Sequence, residues 1–230
     1  MRDALRPSEL LDAWDAGEGH HPVEQALALL HAAEPGLSRE DLAALDVAER
    51  ERRLLRLRSL MLGPALRCAA DCPACGERVE FELDAGSLDT EPAAGPFKAG
   101  GVRFRLPDSD DLAAAARCAD AGEARQLLAE RCILADGARA GPGTVAAVAE
   151  AMGEAAAVAD VSAALSCPGC GEEWTCLLDL PRYVWAELGA EARRLLSEVD
   201  ALARSYGWTE EDVLALPPRR RRAYLELALG

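Results

Sequence analysis

Two segments of one pattern, Cys72-Pro73-Ala74-Cys75-Gly76 and Cys167-Pro168-Gly169-Cys170-Gly171, constrain this 230-residue chain more than any other feature. A Cys-x-x-Cys turn points both sulfurs at one pair of tetrahedral vertices, and glycine after the second cysteine lets backbone amides approach the thiolates. Two such turns complete a four-sulfur site. Cys72, Cys75, Cys167 and Cys170 are therefore the expected ligands of one metal ion. Eight cysteines would also suit a disulfide framework in a secreted domain, but the segment Met1-Arg2-Asp3-Ala4-Leu5-Arg6-Pro7 lacks the apolar run of an export signal. A cytoplasmic, reducing setting is expected, and there metal ligation is the better reading of paired cysteines.

Four thiolates leave no open coordination position, and neither Cys-Pro-x-Cys-Gly knuckle contains a Glu or His to act as general base. The expectation is one structural zinc per chain, no catalytic residue and no enzyme. A rubredoxin-like iron electron-transfer protein is the alternative, because similar knuckles hold iron, and a zinc-ribbon adaptor in transcription is another. A helical body of this size favours zinc over the redox reading, and a thiol-disulfide role would need only one pair. No Gly-rich phosphate loop, G-x-S-x-G elbow, HExxH or DxDxDG motif occurs, so no small-molecule substrate is expected.

Composition bears on the body around the knuckles. Half the residues are apolar, but 47 are alanine and only ten are aromatic, so a mostly helical, thinly packed α+β fold is expected. The net charge of −15 repels phosphate backbones and anionic lipid heads, which argues against nucleic acid and membrane partners. No stretch approaches about 18 apolar residues. The charge is uneven: residues 59–180 hold nine basic against twenty acidic residues, whereas the segment from Pro181 onward holds eight arginines against eight acidic residues.

Three units are expected along the chain. Residues 1–66 read as a helical segment, in which Ser38-x-x-Asp41 and Asp46-x-x-Glu49 mark helix starts and Gly63-Pro64 a stop. Leu54, Leu57 and Met61 share a face of the second of these helices, and the surrounding Arg50, Arg52, Arg53, Arg56 and Arg58 read as a solvated face. Residues 67–180 read as a split zinc ribbon of two short hairpins. About 91 residues separate its halves, against roughly 15 to 20 in compact ribbons, so residues 84–160 are expected to loop out as a helical insertion. Within that insertion Val102–Leu106 alternates as a strand, and Glu123–Leu134 and Thr144–Val158 read as helices. Residues 181–230 read as helical, with an apolar stripe from Val184 to Tyr206, a Thr209-x-x-Asp212 cap and a last helix opened by Pro217-Pro218. Apart from the doubled knuckle, no internal repeat is evident.

Four cysteines remain. Cys118 and Cys132 read as small buried hydrophobes in helices, while Cys68 and Cys176 lie near the knuckles at the wrong spacing. His20 and His21 read as exposed polar sequence, and His31 has no evident partner.

The run from Cys167 to Trp174, then Asp179-Leu180, Tyr183-Val184-Trp185, Glu198-Val199-Asp200, Tyr206-Gly207-Trp208-Thr209-Glu210, and Leu216-Pro217 to Arg222 with Tyr224-Leu225-Glu226, resembles baseplate proteins of contractile-tail phages and extracellular contractile injection systems. The first knuckle and Val102–Pro107 agree. The resemblance spans roughly residues 40–230, is densest over 167–228 and is absent from the first 35. It implies a baseplate hub protein or hub assembly chaperone whose partners are other baseplate, hub, spike or tube proteins. Trp185, Tyr206, Trp208, Arg219, Arg220, Arg221, Arg222 and Tyr224 would then supply partner surface. Six of the ten aromatics fall between Trp174 and Tyr224, beside the arginines, a composition enriched at interfaces.

Overall fold

Local capping chemistry sets the helix starts in the computed structural model, which describes residues 4–89, 95–134, 141–156 and 161–229. Helices α1 (Pro7–Gly17) and α2 (Pro22–Ala33) both open on proline, whose missing N–H costs nothing in a first turn. Ser38 and Asp41 form the expected reciprocal cap of α3 (Arg39–Ala43), and Asp46 accepts from the Glu49 N–H to start α4 (Val47–Leu62). After Gly63 the chain enters the hairpin β1 (Ala65–Asp71) and β2 (Arg78–Asp84), followed by the short α5 (Ala85–Leu88). The insertion holds β3 (Phe97–Ala99), β4 (Val102–Phe104), α6 (Ser109–Ala115), α7 (Ala121–Cys132), β5 (Ile133–Leu134) and α8 (Pro142–Ala156). A second hairpin, β6 (Val161–Ser166) and β7 (Glu173–Leu178), leads into the long α9 (Leu180–Tyr206), then α10 (Glu210–Leu214) and α11 (Pro218–Leu229). The fold is α+β and mostly helical, with small antiparallel sheets.

The main core gathers α1, α2, α4 and α9 over the feet of both hairpins, with Leu10, Leu30, Leu54, Leu57, Leu66, Val184 and Leu188 almost fully buried. Leucine does the work that aromatics do elsewhere. Phe104 alone among the aromatics is fully buried, and each such leucine contributes about 2 kcal/mol of burial. Where α1 meets α9 the two helices exchange a tryptophan for a glycine. The Trp185 ring edge occupies the space a side chain on Gly17 would need, and Trp14 lies against Gly189.

The insertion has its own core of Phe104, Leu106, Ala129, Cys132, Val145, Val148 and Met152, joined by Ala48 of α4. It is not purely helical: β3, β4 and β5 form an antiparallel sheet in that order. Ile133 and Leu134, read from sequence as a helix end, are its edge strand, because the Asp120 cap starts α7 early and the helix stops at Cys132. The Val102–Leu106 strand is shorter than expected, ending at Phe104. Residues 157 and 158 of the expected second helix, like residues 90–94 and 136–140 of the expected loops, lie outside the described residues. The insertion is also pinned to the body. The Val47 N–H donates to the Pro107 carbonyl at 2.8 Å, and Arg50 donates to Ser109 at 3.2 Å.

The arginine face of α4 is the clearest departure. Arg50 and Arg58 are each 3% exposed, not solvated. Arg58 forks onto Glu187 of α9 at 2.7 and 3.0 Å and caps the Gly63 carbonyl, so it locks the end of α4 to the longest helix. Arg50 pairs with the equally buried Glu51 at 2.6 Å. Arg52 and Arg53 share Glu49, and only Arg56 is exposed.

Asp111, fully buried in α6, receives Arg105 at 2.6 Å and Arg131 at 2.7 Å. Burial alone would raise its carboxyl, but the two guanidinium groups and the Asp108 N–H outweigh it and hold it at about 2. A depressed native value gives stability that is present above the unfolded value of 3.8 and lost as pH falls toward 2. Asp111→Asn is expected to cost roughly 2 kcal/mol near neutrality, below the figure for a fully buried pair because both arginines stay partly solvated. Urea titrations should show the wild-type advantage shrinking between about pH 5 and pH 2, and an unchanged gap would contradict this role.

Candidate metal centre

Hairpin register builds the site. Asp71 pairs with Arg78 and Ser166 with Glu173, so residues 72–77 and 167–172 are the two turns, each six residues long. Each turn closes the same way. The Cys72 N–H donates to the Glu77 carbonyl and the Cys167 N–H to that of Glu172, both at 2.8 Å, while the Gly76 and Gly171 N–H groups return to the carbonyls of Cys72 and Cys167 at 2.9 Å. Gly76 and Gly171 sit at φ of 76° and 79°, a left-handed conformation that favours glycine, which explains the residue after each second cysteine. Sequence reading missed that the turns end in matching glutamates. It also missed that the repeat reaches further: Arg78 and Glu173 open the return strands, and Asp84 and Asp179 each cap the following helix, all at the 95-residue offset of Cys72 and Cys167. The doubled unit is thus a whole hairpin with its capped exit.

The turns meet tip to tip, Glu77 packing near Gly169. Sγ of Cys72 lies 3.7 Å from that of Cys170, and Sγ of Cys75 lies 3.6 Å from that of Cys167. All four sulfurs fall within 4.8 Å of one another. Disulfides would need about 2.05 Å, whereas four bonds of about 2.3 Å at tetrahedral angles separate sulfurs by about 3.8 Å. The four cysteines are therefore positioned to bind a metal ion, each turn supplying one buried sulfur, Cys72 or Cys167, and one exposed sulfur, Cys75 or Cys170.

The four thiols titrate against one another. Burial raises the Cys167 thiol, but the N–H groups of Cys170 and Gly169 and the neighbouring sulfurs outweigh it and bring it down to about 7. The Glu77 N–H favours a thiolate at Cys75, yet its sulfur neighbours push that thiol up to about 12. One thiolate thus suppresses the next, and an arriving cation relieves this by displacing the protons.

The remaining cysteines stay out of the cluster. Cys68 is buried on β1 and Cys176 is half-buried on β7. Cys132 is fully buried as expected, beside Asp111, but Cys118 lies half-exposed in the bend after α6 rather than in a helix. His20 and His21 are exposed, with His21 accepting from the Val23 N–H to cap α2, and His31 is exposed.

The residues expected to face a partner divide. Trp185 is packed against Gly17, and Arg221 is 3% exposed with its Nε 2.6 Å from Glu198, so both serve the interior. Tyr206, Trp208 and Tyr224 form one cluster where α9, α10 and α11 converge, with ring centroids 4.8 to 5.8 Å apart and Tyr206 exposed. Arg219, Arg220 and Arg222 are exposed on the first turns of α11. Among the described residues no helix is long and apolar enough to cross a membrane. Neither family models, nor curated proteins, nor solved structures yield a significant match to the chain.

Proposed function

We propose that this protein is a non-enzymatic baseplate component or assembly chaperone of a cytoplasmically built, phage-tail-like contractile injection machine, carrying one structural zinc. The sulfur geometry supports the metal: four cysteine sulfurs within 4.8 Å of one another can fill the coordination sphere of zinc, which would leave no position for a substrate or an activated water. In that role zinc supplies cohesion, tying two hairpins that the chain separates widely. The assembly role rests on the resemblance over residues 167–228. Its support in the fold is that this stretch forms one continuous piece, from the second knuckle through α9 and α10 to α11, ending in exposed aromatic and arginine side chains.

The two halves of the reading are tested separately. Elemental analysis of the purified full chain is expected to give one zinc per polypeptide in a colourless solution. A red protein with visible charge-transfer bands would establish iron and the rubredoxin-like alternative, for which the two exposed sulfurs would serve as the electron exit. Affinity capture from cells that express the whole gene cluster, read by mass spectrometry, should return tube, sheath or spike proteins. Recovery of RNA polymerase subunits in their place would favour the transcription adaptor.

A further inference from the structure

A cluster of arginines lies away from the metal. A cavity of about 540 Å³ opens between α9 and α11, lined by Arg194, Glu198, Pro218, Arg219, Arg221, Arg222 and Leu225. Four guanidinium groups thus converge on one cleft of a chain whose net charge is −15. Two of them are satisfied internally. Glu198 takes Arg221 at 2.6 Å and also holds Arg194, which Glu191 clasps from the turn before. Arg219 and Arg222 have no ion-pair partner among the described residues. Arg219 stands in the first turn of α11, where the helix dipole disfavours a cation, and Arg222 follows just after that turn.

We propose that this cleft docks an acidic segment of a partner protein, with Arg219 and Arg222 receiving its carboxylates and Pro218 and Leu225 seating an intervening apolar side chain. Charge complementarity carries the assignment. Arg194 and Arg221 are neutralised by Glu191 and Glu198 and form the fixed wall of the cleft, so its net positive charge is that of Arg219 and Arg222, and a guanidinium matches a carboxylate through two parallel hydrogen bonds. A nucleic acid fits worse. It requires a basic track along many phosphates, whereas here the basic surface is one short cleft with an apolar floor, surrounded by a net acidic chain. The proposal deepens the assembly reading by giving its partner a chemistry, and it stands or falls independently of the metal.

Fluorescence anisotropy with the zinc-loaded full chain tests it, using a labelled decapeptide of aspartate, glutamate and leucine as probe. Binding should weaken as salt rises, and should fall at least tenfold for the Gln/Asn version of the peptide. R219E/R222E should weaken binding at least tenfold, R219Q/R222Q by less, and the exposed control R117E by under twofold. Melting curves of the variants should match wild type or rise slightly, since both side chains are exposed and a carboxylate suits the start of α11. Equal binding of the amide peptide, an equal loss in R117E, displacement by an equal concentration of inorganic phosphate, or tighter binding of an oligothymidylate of the same charge would each overturn the proposal. Capture of tube or spike proteins that survives R219E/R222E would refute this cleft while leaving the assembly reading intact.

Discussion

Cys170→Ser, or treatment of the wild-type protein with a strong zinc chelator, is expected to lower the melting temperature by about 6–12 °C. Thiolate–zinc affinity acts as folding free energy, and small zinc modules derive about 10–16 kcal/mol from it. Only part of that is exposed to loss here, because α1, α2, α4 and α9 bury a leucine core without the metal. A loss of about 3 kcal/mol, at roughly 2–4 °C per kcal/mol for a chain of this size, gives the stated shift. The damage should be local. Amides of β1, β2, β6 and β7 should lose hydrogen-exchange protection, whereas those of α4 and α9 keep theirs. Melting that is indifferent to the chelator would remove the metal from the account of this fold.

Gly17→Ala is expected to destabilise the packing of α1 against α9. A Cβ there would stand 2.5 and 2.8 Å from two ring carbons of Trp185, inside contact distance, so the ring or the helices must shift. Overpacking of this kind costs about 2–3 kcal/mol. The ring is the stated cause, so Trp185→Phe in the same chain should recover at least about 1 kcal/mol, measured as a coupling in a double-mutant cycle by urea denaturation. Strict additivity would show that the two residues do not meet. The same cycle separates a packing role for Trp185 from the partner-facing role its sequence context suggested.

What could be read from the chain in advance was mostly what is decided within four residues. The caps at Ser38, Asp46 and Thr209 are legible because donor and acceptor are three positions apart. The knuckles are legible because a Cys-x-x-Cys turn carries its own geometry. Arg50 and Arg58 were not, since a helical pattern assigns arginine to water; Arg58 is held by Glu187, 129 residues away, and Arg50, besides its neighbour Glu51, bonds Ser109, 59 residues away. The β5 strand was hidden because two residues carry no period, and helical spacing runs through Ile133 and Leu134 without a break. The split of the C-terminal surface was equally invisible: four consecutive arginines look alike until Glu198 takes one of them.

The long separation of the two knuckles has a further consequence. Cys75 and Cys167 are 92 positions apart, and the entropy of closing a loop rises only with the logarithm of its length. Doubling the intervening chain would add about 0.6 kcal/mol. Because Ala85 and Val161, at the two ends of the insertion, are both buried in the main core, the clasp fixes where the excursion leaves and returns but not how long it is. The loops of that stretch are where length can change at little thermodynamic cost, provided the contacts that Pro107 and Ser109 make with α4 are kept.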